Sequence, residues 1–183
     1  MKPPGAPRAV FLVGFMGAGK TSVGRALGQQ LGWEVEDLDD RIQRREGRTV
    51  AEIFRTSGEH EFRRAERSAL RDLLQGLRGG EARVVALGGG AFVQKANAAR
   101  LKAAGVPTIF LDAAVEELWG RCQHQASKQG MERPLLGSRE RFAALHESRR
   151  KGYMKASSRI ETGGRSVKQI AQQIARALGL KKA

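Results

Sequence analysis

Tyrosine and cysteine each occur once in the 183 residues, as Tyr153 and Cys122. A lone thiol excludes an internal disulfide framework and fits a reducing compartment. Aromatic side chains make up only 5% of the chain, too few to build a stacking platform for single-stranded nucleic acid. No apolar run approaches the roughly 18 residues that a membrane-spanning helix requires. The opening Met1-Lys2-Pro3-Pro4-Gly5-Ala6-Pro7 lacks the apolar centre of a secretory signal and reads as a short disordered lead-in over residues 1–8. Acid is scarce as well: 19 Asp and Glu face 33 Lys and Arg, a net charge of +14. That excess invites a nucleic-acid reading, yet the arginines are dispersed and there is no basic tail or DNA-reading motif. A basic surface that draws in small anionic substrates explains the charge as well. The expectation is a cytoplasmic protein with no membrane and no nucleic-acid partner.

What is present is ordered. Apolar runs alternate with helical patterns, which predicts a parallel sheet covered by helices in a single domain over residues 9–183. Strands are expected at Ala9–Val13, Glu34–Leu38, Val84–Leu87, Thr108–Leu111 and Ser158–Glu161. Helices are expected at Thr21–Leu31, Asp40–Glu46, Val50–Arg55, Glu59–Leu77, Ala96–Ala104, Val115–Arg121, Arg139–Ala156 and Val167–Leu178. The last shows one apolar stripe, a Ser166/Gln169 capping box and Gly179 as a stop. The polar stretch Gln123–Glu132, flanked by Arg121 and Arg133, has no apolar stripe and reads as a loop, a candidate lid.

Residues 14–21 read Gly14-Phe15-Met16-Gly17-Ala18-Gly19-Lys20-Thr21, a complete G-x-x-x-x-G-K-[ST] phosphate loop between an apolar strand and a helix. Its glycines let backbone N–H groups surround phosphate oxygens. Lys20 reaches the β- and γ-phosphates, and the Thr21 hydroxyl is a ligand for Mg²⁺. Such a chain binds a nucleoside triphosphate. Asp37-Leu38-Asp39 closes the second strand, and strand alternation would turn both carboxylates the same way, beside that loop. One acid then serves Mg²⁺, usually through water, and the other orients or deprotonates an attacking hydroxyl. Arg63 and Glu66, three apart on a helix, suit an anion clamp but equally an ordinary surface pair. Gly88-Gly89-Gly90 allows a ligand close to the backbone, or is simply a flexible turn.

Taken in order, the phosphate loop, Asp37-Leu38-Asp39, Ala51-Glu52-Ile53-Phe54, Gly58-Glu59, Phe62-Arg63 with Glu66, Leu87-Gly88-Gly89-Gly90, Arg133-Pro134-Leu135-Leu136 and Arg149 resemble the shikimate kinase family over about residues 9–178. The resemblance implies a P-loop α/β fold, a five-stranded parallel sheet of order 2-3-1-4-5 with helices on both faces. It implies phosphoryl transfer from ATP to the 3-hydroxyl of shikimate. On matching positions, Gly17, Ala18, Gly19, Lys20, Thr21 and Ser22 would hold ATP, and Thr21 with Asp37 would hold Mg²⁺. Asp39 would be the catalytic carboxylate at the acceptor hydroxyl. Arg63 and Arg149 would clamp the shikimate carboxylate, with Gly88, Gly89 and Gly90 along its ring. Arg133 would enter from a lid at about 121–136 and act beside Lys20 on the transferring phosphate. Arg121 and Arg165 are the nearest candidates for the adenine side. The sequence departs from the family in its longer lid, with eleven residues between Arg121 and Arg133, and in Gln43, where an acid is usual. A monomer is expected. A gluconate-type kinase and a nucleic-acid-associated NTPase are the competing readings.

Overall fold

A computed structural model describes residues 7–80, 82–129 and 137–182. Strands and helices alternate along it: β1 (Ala9–Val13), α1 (Lys20–Leu31), β2 (Glu34–Asp37), α2 (Leu38–Glu46), α3 (Val50–Gly76), β3 (Arg83–Ala86), α4 (Lys95–Ala103), β4 (Thr108–Asp112), α5 (Val115–Gln129), α6 (Arg139–Tyr153), β5 (Ser158–Glu161) and α7 (Val167–Ala177). A single 3-10 turn, Leu77–Gly79, follows α3. All five strands pair in parallel in the expected order β2-β3-β1-β4-β5.

The strand sequences explain that order. β1 and β4 are apolar almost throughout and buried along their whole length, as parallel strands are when helices cover both faces. β2 and β5 form the two edges and are more open and more charged. Glu36 on β2 is ion-paired with Arg41 at 2.7 Å and with Arg83 of β3 at 2.9 Å. Because the strands run the same way, the loops after β1, β2 and β3 leave the sheet at one edge, where ligands of such folds collect.

The structure corrects two expectations and adds detail to others. β2 ends at Asp37, so Asp39 is not a strand residue but sits in the first turn of α2. Asp37 caps that helix, its Oδ1 accepting from the Asp39 amide at 3.0 Å; a carboxylate is a strong N-cap and ends the strand there. The two helices expected at 50–55 and 59–77 are both present within α3, separated by a kink at Gly58 (φ 80°, ψ 173°). The first part of α3 opens with a Thr49/Glu52 capping box not foreseen from the sequence. Finally, residues 123–129 continue α5 instead of forming a loop. Gln, Ala and Lys are good helix formers and no breaker lies between Gln123 and Gly130, so polarity here marked helix residues that face solvent, as 123–125 and 127 do. The rest of the expected lid, including Arg133, lies outside the described residues.

Candidate active site

The phosphate loop is a backbone structure locked from behind. Gly17 has φ 78°, and a Cβ there would lie 2.8 Å from the Leu118 carbonyl oxygen and 2.9 Å from Cys122 Sγ, so only glycine fits the turn. Phe15, buried between strand and helix, packs edge-on against Phe142 at 5.0 Å and His146 at 5.3 Å, both on α6. The Lys20 ammonium folds back to donate to the carbonyls of Gly14 and Phe15, each at 2.9 Å. Burial lowers its pKa to about 8, against the opposing pull of Asp39 and Asp37. Thr21 Oγ1 donates to Asp37 Oδ2 at 2.8 Å. Two hard oxygen donors therefore meet at the mouth of the loop, a pairing suited to Mg²⁺. No group of three or more His, Cys, Asp or Glu residues assembles among the described residues, so such an ion would owe most of its coordination to phosphate and water.

Asp39 faces the loop from the start of α2. Its Oδ1 is buried and without a hydrogen-bond partner. Burial and the neighbouring Asp37 raise its pKa to about 6, with Lys20 pulling the other way. The glycine stretch after β3 lies directly against it: a Cβ on Gly88 would be 2.5 Å from Asp39 Oδ1. A Cβ on Gly90 would be 2.5 Å from Arg63 Nη2. The stretch is thus a turn packed closely against Asp39 and Arg63, a wall of the site.

Arg63 and Glu66 are likewise more than a surface pair. Glu66 is fully buried and takes the Arg63 Nη1 at 2.9 and 3.0 Å through its two oxygens. Burial raises the Glu66 pKa, while Arg63 opposes the shift. The guanidinium also lies 5.2 Å from the Phe62 ring centre. Arg149 approaches from α6, its Cζ 5.8 Å from the Phe15 ring centre and its Nη1 3.7 Å from where a Gly89 Cβ would sit. Lys20, Thr21, Asp37, Asp39, Arg63, the 88–90 wall and Arg149 therefore converge on one cleft.

Arg121 and Arg165 occupy its outer end. The Arg121 guanidinium pairs with Glu117 at 2.5 Å and reaches the Gly17 carbonyl at 3.3 Å and the Thr162 carbonyl at 3.3 Å. It bridges the phosphate loop and the turn before α7. Arg165 donates to the Glu161 carbonyl at 3.1 Å and to Gln173 of α7.

Two buried groups escaped the sequence reading. Asp112, buried at the end of β4, takes Arg150 at 2.8 Å and Arg159 at 2.9 Å, which ties α6 and β5 to the sheet. Tyr153 is buried with its ring stacked 5.2 Å from Phe110, and its hydroxyl donates to the Gly89 carbonyl. Its four-residue spacing from Arg149 on one helix was the available signal.

Comparison with known proteins settles the family. The sequence model described as Shikimate kinase matches residues 16–179. The chain belongs to the shikimate kinase family. It is accordingly an ATP phosphotransferase with an alcohol group as acceptor. The shikimate kinase of Geobacter sulfurreducens is 40% identical over 178 residues, 96% of this chain and 93% of that one. That of Persephonella marina is 38% identical over 91% of this chain and 96% of its own. Among solved structures, shikimate kinase from Acinetobacter baumannii in complex with shikimate superposes with a TM-score of 0.83 at 34% identity, covering 95% of this chain and 93% of that chain.

Proposed function

We propose that this kinase moves the γ-phosphoryl group of ATP to the 3-hydroxyl of shikimate, with Asp39 as the acceptor-side carboxylate. The observation that carries this assignment is the unpartnered Oδ1 of Asp39, buried between the phosphate loop and the Gly88–Gly90 wall. A buried acceptor without a donor is costly. A substrate hydroxyl placed there would supply the missing hydrogen and be aimed at the phosphate end of the cleft. Ionised Asp39 would orient that hydroxyl and take its proton as the bond to phosphorus forms.

The remaining roles follow the charges. Gly17, Ala18, Gly19, Lys20, Thr21 and Ser22 would receive the phosphates at the loop and the start of α1, where backbone N–H groups and the helix dipole favour anions. On binding, the Lys20 ammonium would exchange its two carbonyl acceptors for phosphate oxygens. Thr21 and Asp37 would hold Mg²⁺, which would supply positive charge to offset that of the nucleotide phosphates. Arg63, held by Glu66, and Arg149 would receive the shikimate carboxylate, and Gly88, Gly89 and Gly90 would admit the ring to contact distance. Arg121 would border the nucleotide. From the family pattern, residues 121–136 would serve as a lid in which Arg133 stabilises the transferring phosphate and excludes water. The enzyme would work as a monomer in the cytoplasm, and one compact domain would carry the whole site.

Turnover measured in parallel with shikimate, gluconate and single-stranded DNA tests the reading. Phosphorylation of shikimate alone is expected. Preferred turnover of gluconate, or hydrolysis stimulated by DNA, would replace it.

A further inference from the structure

We propose that Tyr153 is a positioning residue for the acceptor side, holding the Gly89 carbonyl and the Arg149 guanidinium in register. The proposal rests on the reading of Arg149 as a shikimate contact given above.

The Gly88–Gly90 wall has no side chains, so it can be placed only through its backbone. One end is fixed by the Leu87 amide on the Leu12 carbonyl at 3.0 Å, and the turn closes through the Ala91 amide on the Gly88 carbonyl at 3.0 Å. Between these, the Gly89 carbonyl is taken by the Tyr153 hydroxyl. A tyrosine that merely filled the core would not need its hydroxyl, and burying one costs free energy unless it is paired. Phenylalanine would preserve the stack on Phe110 without that cost. The hydroxyl is instead spent on the carbonyl of Gly89, the glycine of the wall that borders Arg149. Burial raises the phenol pKa to about 12, so it remains a donor at physiological pH, with the Arg149 charge the leading opposing influence. Tyr153 thus holds the wall through Gly89, the residue that borders Arg149, from one turn further along the same helix.

The test is Tyr153→Phe. The KM for shikimate is expected to rise about tenfold, the size of one lost charge-linked hydrogen bond, while the KM for ATP stays put and kcat falls less than KM rises. A folded Tyr153→Phe with a wild-type shikimate KM overturns the proposal, whatever its melting temperature does. Tyr153 is the only tyrosine, so uniform 3-fluorotyrosine labelling gives a single ¹⁹F resonance in the otherwise native chain. Shikimate is expected to shift that resonance, and Arg149→Ala to abolish the shift; a resonance indifferent to saturating shikimate overturns the proposal even if Tyr153→Phe fails to fold. If Arg149→Ala leaves shikimate affinity unchanged, the arginine clamp itself fails and the tyrosine role falls with it. If Arg149→Ala weakens binding and Tyr153→Phe does not, only the tyrosine role fails.

Discussion

The two sides of the cleft are built on different plans. The phosphate side is one contiguous stretch, residues 14–21, whose working parts are mostly backbone atoms in a conformation that glycine alone permits. The acceptor side has no such stretch. It gathers Asp39 from α2, Arg63 and Glu66 from α3, glycines from the loop after β3 and Arg149 from α6. Its working parts are charged side chains, several of them buried and held by one another. A backbone site of this kind is robust to its surroundings, whereas a site of buried charges depends on every partner remaining in place.

The comparison can be broken by mutation. Lys20→Ala removes the charge nearest the phosphates and should lower kcat/KM by roughly 10³-fold with the fold intact; near-normal turnover in a folded variant would refute the phosphate-side assignment. Asp39→Asn should reduce kcat by about 10²–10⁴-fold while ATP affinity, measured by calorimetry, stays within error. Loss of nucleotide affinity with kcat preserved would instead assign Asp39 to the metal.

Titration sharpens the same point. Asp39, with its pKa near 6, must be ionised to accept a hydrogen, so activity should fall as pH drops through about 6. Lys20 loses its charge above about 8 in the free enzyme, so kcat/KM should fall again there. Asp39→Asn should erase the acidic limb of its residual activity and leave the alkaline one. Stability should move in the opposite sense. A carboxylate whose folded pKa is raised favours the native state below its ordinary range and loses that contribution as pH rises through 6. Asp39→Asn should therefore raise the melting temperature at pH 8 and change it little at pH 4.

A smaller effect separates binding from burial. Arg63→Ala and Arg149→Ala should each weaken shikimate binding about tenfold or more, from about 1.5–3 kcal/mol per charged hydrogen bond. Arg63→Ala should also destabilise the fold by stranding Glu66, and adding Glu66→Gln should restore the melting temperature without restoring affinity. Recovery of both would mean that Arg63 is only structural. The smallest effect is expected at the outer end of the cleft. Arg121→Ala should raise the KM for ATP several-fold, roughly one weak hydrogen bond, and Arg165→Ala, already engaged with Gln173, should leave it nearly unchanged.

These two plans also explain what the sequence disclosed. The phosphate loop was legible as a contiguous motif and the parallel sheet from alternating apolar runs, whereas the strand order came only from the family resemblance. The Arg63–Glu66 pair was ambiguous, since three-residue spacing says nothing about burial; the fold decides that by packing α3 over the pair. Asp37-Leu38-Asp39 was read as strand alternation because the acid that caps α2 is indistinguishable in sequence from one that ends β2. Residues 123–129 looked like a loop because helix residues that face solvent need no apolar stripe. The Tyr153 contact with Gly89 spans 64 positions, beyond any local pattern.

The open sheet also has two unprotected margins, and both are guarded. β2 and β5 are four residues each, against five for β1 and β4. Glu34, Glu36 and Asp37 stud one margin, Arg159 and Glu161 the other. A strand from a neighbouring molecule seeking free N–H and C=O groups would find a short ladder and would have to lie against charge. The acids that the chain otherwise uses so sparingly are concentrated where self-association by strand addition would begin. Replacing Glu34 and Glu161 with threonine, with Asp37 kept for the cleft, would expose the protein to aggregation at the sheet's rim.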